Sequence, residues 1–87
     1  MFLIKYKLVD LSGNVVEEEI LPEIFETPAE CDVLIERMSS RYGMSAYDIH
    51  EDRWWARESG IYDETHYWWR APIMDIRDEN VRRNDRN

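Results

Sequence analysis

The chain has 87 residues and a formal net charge of −8, from 11 Lys and Arg against 19 Asp and Glu. That length holds one domain, and the charge repels phosphate backbones, so a protein partner with a basic surface is expected rather than nucleic acid. Cys31 is the single cysteine, no apolar run approaches the roughly 20 residues of a membrane span, and the MFLIKYKLVD start lacks a signal-peptide cleavage pattern. A cytoplasmic protein without disulfides and without membrane contact is the expectation.

Residues 2–9 alternate as a strand does, with Phe2, Ile4, Tyr6 and Leu8 on one face and Lys5 and Lys7 on the other. Ser12-Gly13-Asn14 is a turn signal, because Gly and Asn tolerate positive φ. VVEEEIL at 15–21 is then the returning strand of a hairpin, and a three-residue loop sets Lys7 opposite Glu19. Glu17, Glu18 and Glu19 are poor strand formers. They either keep an edge strand from aggregating or form an acidic binding ridge. Pro22 ends the strand.

Thr27-Pro28-Ala29-Glu30 has the pattern of a capping box, with Thr27 capping, Pro28 in the first helical position and Glu30 reaching back. The helix is expected to run to about Tyr42 and to stop at Gly43 in a left-handed conformation. Cys31, Leu34, Ile35, Met38 and Tyr42 form one apolar stripe, so Cys31 is expected as a buried hydrophobe rather than a nucleophile. Met44 is placed to fold back onto the helix end. A strand is expected from about Tyr47 to Arg57, bent near Glu51-Asp52. A loop follows from Ser59-Gly60 to about Thr65, then a fourth strand from His66 to about Ile76, which Pro72 places at an edge or a bulge. A helix beginning at Asp63 is the competing reading. The fold expected is α+β, a small antiparallel sheet of about four strands (ββαββ) with one helix packed on one face. One domain covers 1–77, and 78–87 is a polar, frayed tail.

Chemistry concentrates between Tyr47 and Arg70, which hold all four tryptophans as two adjacent pairs, Trp54-Trp55 and Trp68-Trp69. Arg53 and Arg57 bracket the first pair and Arg70 follows the second. Neighbouring rings on a strand point to opposite faces, so one ring of each pair should enter the core and the other face outward. Three site chemistries compete. His50 with Glu51 and Asp52, and His66 with Asp63 and Glu64, could meet as a metal or acid–base centre, although their spacing matches no metal motif. No nucleophile motif or phosphate loop is present, so no cofactor and no catalysis are expected. Rings interleaved with arginines could instead stack the bases of single-stranded nucleic acid, a reading that the net charge opposes. Lastly, Trp, Tyr and Arg are the residues that dominate protein interfaces. On that reading the partner-binding residues are Glu17, Glu18 and Glu19, then Trp54, Trp55, Arg57, Tyr62, Asp63, Glu64, Tyr67, Trp68, Trp69 and Arg70.

With its size, its acidity, the EEE strand and the FETPAEC helix entry, the chain resembles small phage-encoded inhibitors of the anti-CRISPR type. The resemblance implies a CRISPR effector complex as partner and a block to target DNA binding or guide handling, in the host cytoplasm. A toxin-neutralising immunity protein is the alternative, and a metal-dependent enzyme using His50 and His66 is a more distant one.

Overall fold

The computed structural model describes residues 1–58 and 61–73, without the side chains of 61–63. Its elements are β1 (Phe2–Asp10), β2 (Val15–Ile20), α1 (Pro28–Ser39), β3 (Met44–Asp48), β4 (Arg53–Glu58) and β5 (Ile61–Pro72). The five strands form one antiparallel sheet in the order β2-β1-β5-β4-β3. The α+β class and a helix packed on one face of the sheet agree with expectation. The strand count does not, since the order is ββαβββ. The expected tail at 78–87 and the domain boundary at 77 lie outside the described residues.

The first hairpin turns one residue earlier than expected. Gly13 N–H bonds the Asp10 carbonyl at 3.0 Å, Asp10 Oδ1 accepts from the amides of Ser12 and Asn14, and Gly13 takes φ +88°. Asp10 thereby satisfies the backbone of a loop made of residues 11–13. A register shift follows, Val9 pairing with Val15 and Leu8 with Glu17, so that Val16 is an extra residue in β2. Lys7 therefore faces Glu18, not Glu19. After β2 the chain stays hydrogen-bonded beside β1, through Leu21 N–H to the Ile4 carbonyl and a reciprocal Phe2–Phe25 pair.

The helix begins as its sequence dictates, with Thr27 Oγ1 accepting from Glu30 N–H at 3.3 Å. The reciprocal bond from the Glu30 carboxylate does not occur among the described residues, and both residues are exposed, where water competes. The α-helix ends at Ser39, and Arg41 and Tyr42 continue it only as tighter i−3 turns onto Met38 and Ser39. Gly43 is not left-handed, because those turns already satisfy the helix end.

The expected bent strand at 47–57 is in fact two strands. Asp48 Oδ1 accepts from the amides of His50 and Glu51, and Asp52 takes φ +52°, which closes a turn between β3 and β4. Met44 begins β3, 39% exposed, and does not fold back onto the helix. The last strand starts at Ile61, five residues before the expected position, and lies in the middle of the sheet between β1 and β4. That excludes both the loop reading of 61–65 and the helix reading from Asp63. Pro72 is tolerated there for a specific reason. It pairs with Phe2, whose own N–H and C=O are turned away toward Phe25. The imino nitrogen of Pro72 then faces the β4 side, beyond the point where β4 reaches, and no ladder bond is lost.

The core lies between α1 and the sheet. Ile4, Tyr6, Cys31, Ile35, Ala56 and Trp68 are buried, with Phe2, Leu8, Leu21, Phe25, Leu34, Met38, Tyr42 and Trp54 packed around them. Cys31 is fully buried, and burial raises its thiol pKa, so it behaves as the small hydrophobe expected from its place on the stripe. Among the described residues no element covers the other side of the sheet. Among the described residues no helix is long and apolar enough to cross a membrane.

Candidate binding surfaces of the sheet

Register decides what each face displays. Tyr6 pairs with Trp68, Leu8 with His66, Trp54 with Trp68, and Ala56 with His66, so these side chains all share the helix face. On the open face Lys5 pairs with Trp69, Lys7 with Tyr67, and Trp55 with Tyr67. The tryptophan pairs are thus divided, with Trp54 and Trp68 inward and Trp55 and Trp69 outward. Trp68 is 4% exposed. Trp54 Nε1 is buried with no acceptor among the described residues.

Beneath the helix, His66 sits among Tyr6, Tyr42 and Trp68, with ring centroids 5.8, 4.3 and 5.8 Å away. Its Nδ1 lies 2.7 Å from the Tyr6 hydroxyl. Burial lowers the His66 pKa, while burial and then the charge of Glu17 push Tyr6 up to about 12. Both shifts favour neutral groups, so a Tyr6 O–H donating to an unprotonated imidazole fits best. His50 lies elsewhere, exposed in the β3–β4 turn. Among the described residues no group of three or more His, Cys, Asp or Glu is placed to hold a metal ion. The pairing of β4 with β5 does bring the two Trp pairs together, but it leaves the two histidines apart.

The acidic candidates are split as well. Glu17 and Glu19 pair with Leu8 and Tyr6 and belong to the helix face, where they line a hollow of about 270 Å³ with Met38, Arg41 and Tyr42. Glu18 lies on the open face, where it borders a hollow of about 410 Å³ with Lys5, Ile20 and Trp69. Every residue of β2 is exposed. Arg70 is on the helix face, bonded to Asp32 at 2.5 Å and to Asp52 at 3.4 Å. Asp52 also accepts the Tyr47 hydroxyl, which raises the pKa of that phenol. Arg70 is therefore a strut between α1 and the β3–β4 turn, not the outward companion of Trp69. Glu64 is exposed on the helix face, and the side chains of Tyr62 and Asp63 lie outside the described residues.

The open face holds a cation–aromatic lattice. The Arg53 guanidinium lies 4.0 Å from the Tyr67 ring centroid and that of Arg57 lies 5.4 Å from Trp55. Lys7 Nζ is 5.7 Å from Tyr67 and 5.9 Å from Trp69. Arg57 Nε also donates to Thr65 Oγ1 at 2.9 Å. Lys5 and Lys7 were not among the candidate site residues from sequence, and Arg53 was named only as a bracket of the first Trp pair and among the arginines interleaved with the rings. The alternation of β1 already put both lysines opposite the core residues. What it could not show was that β5 would lie alongside, bringing Tyr67 and Trp69 next to them.

The class defined is an α+β protein with a five-stranded antiparallel sheet covered on one side by a helix. Comparison with protein-family models finds no match, and comparisons with curated proteins and with solved structures find none either.

Proposed function

We propose that this is a non-enzymatic binding protein that inhibits a nucleic-acid-handling complex by occupying a basic surface of it. One observation carries the reading. The nine acids between Leu8 and Glu36 are uninterrupted in sequence by lysine or arginine; Asp10 holds its own turn and Asp32 bonds Arg70, and the other seven are exposed from the β2 edge through 21–27 to α1. Such a predominantly acidic flank, broken only by Arg37 and Arg41 at the helix end among the described residues, speeds encounter with a basic surface and disfavours other partners. The resemblance to anti-CRISPR proteins makes a CRISPR effector the favoured partner, with loss of its target DNA binding as the consequence.

Tagged protein, exposed to bacterial lysate and read by mass spectrometry, is expected to retain a nucleic-acid-handling complex. A retained toxin would favour the immunity-protein reading. Retention of no partner would overturn both.

A further inference from the structure

The open face of the sheet is not explained by the acidic flank. It carries four cations, Lys5, Lys7, Arg53 and Arg57, none of which belongs to that flank, and its rings are not needed to close the core under α1. We propose that this face holds a single strand of nucleic acid, with bases against Trp55, Tyr67 and Trp69 and phosphates on Lys5, Lys7, Arg53 and Arg57.

Charge complementarity is the first support. None of the four cations has a carboxylate within 4.0 Å among the described residues, where both salt bridges belong to Arg70. The acids on this side are Glu18 and Asp48, and three more border its hollows: Glu51 beside Lys7, Arg53 and Trp69, Asp10 beside Arg57 and Tyr67, and Glu19, on the helix face by register, beside Lys5 and Trp69. Asp48 is already engaged by the amides of its own turn. Glu17 and Glu19 are on the helix face, and Glu30, Asp32 and Glu36 are carried by the helix itself. Charges beyond about 8 Å are largely screened at physiological salt, so the net charge does not settle what this face binds.

The rings supply the second support. An acidic peptide would satisfy the cations alone. A nucleic-acid strand offers anions and flat rings together, and sheets that display aromatics hold single strands by stacking. Tyr67 and Trp69 are two residues apart on one face of β5, and Trp55 sits directly across from Tyr67. The platforms thus form a compact row with a cation over each, and an incoming base would take the place of the cation on the ring while a phosphate takes up its charge. A duplex keeps its bases stacked inside and cannot use them. The inference stands on this geometry and does not require the protein partner proposed above.

The test is fluorescence anisotropy of labelled oligo-dT and oligo-U of about fifteen nucleotides, within the usual site size of a small sheet domain, with a duplex of equal length beside them. Binding is expected to weaken with salt at a log–log slope near −3, at about −0.7 for each of four phosphate contacts. Lys5→Glu with Lys7→Glu, and separately Trp69→Ala, should each weaken it about tenfold or more. Arg57→Gln provides a milder variant if the charge reversals fail to fold. Glu30→Gln with Glu36→Gln, on the helix, should leave oligonucleotide affinity unchanged, which separates this claim from the acidic-flank reading. The proposal is overturned by no binding at low salt, by equal affinity for the duplex, or by indifference to the face variants. It is equally overturned if those variants lose a protein partner while the wild type binds no oligonucleotide, which would make the face a protein interface.

Discussion

His66 occupies a position where a proton is unwelcome. Burial among Tyr6, Tyr42 and Trp68 lowers its pKa below the ordinary 6.5, although Glu64, Glu17 and Glu58 pull the other way. The folded protein therefore binds this proton more weakly than the unfolded chain does. The contribution to stability is whole above about pH 6.5 and is lost as pH falls from there toward the lower folded value. Thermal unfolding should thus occur at a lower temperature at pH 5.5 than at pH 7.5. His66→Gln should remove most of that difference, and His50→Gln, in an exposed turn, should not. Circular dichroism melts at the two pH values check this. An unchanged pH dependence in His66→Gln would contradict the placement of the imidazole in the core.

At the scale of elements, β5 decides the character of both faces. It lies between β1 and β4, so a two-residue alternation sends Trp68 beneath the helix and Trp69 into the open lattice. The consequences for stability should differ sharply. Trp68→Ala should cost about 3–5 kcal/mol, the range for emptying a large buried ring. Trp69→Ala should cost no more than about 1 kcal/mol, as for a surface change without a buried partner. Urea unfolding of the two variants measures this, and equal losses would contradict the division of rings. Much at this scale was legible in the chain. The alternation of β1, the Thr27 cap and the stripe carrying Cys31 and Ile35 are local patterns with local causes. Three details were not legible. Val16 as an extra residue, the Asp48-centred turn and the early start of β5 each depend on hydrogen bonds or pairings that residue type alone does not specify. The position of Pro72 misled, because proline excludes a central strand only where its nitrogen would meet a partner.

For the whole molecule the sheet separates two kinds of chemistry. Its β2 edge and helix side carry most of the acids, and its open face carries Lys5, Lys7, Arg53 and Arg57 among the outward rings, with Glu18 and Asp48 beside them. The net charge of the whole chain, −8, conceals the arrangement. The sequence supported an interface rich in Trp, Tyr and Arg. It could not show that Trp55 and Trp69 leave Arg70 and Glu17 on the opposite face, because the sheet order is set by the pairing of β1 with β5, distant in the chain. Attraction through the acidic flank remains the central functional claim. Its most direct test is the association rate with the captured complex, measured by surface plasmon resonance at low and physiological salt, for the wild type and for Glu17→Gln/Glu18→Gln/Glu19→Gln. The account predicts a severalfold slower association for the variant at low salt and a flatter dependence on salt, with little change in dissociation. An association rate and a salt slope equal to those of the wild type would contradict it, and would leave the three glutamates as protection of an edge strand.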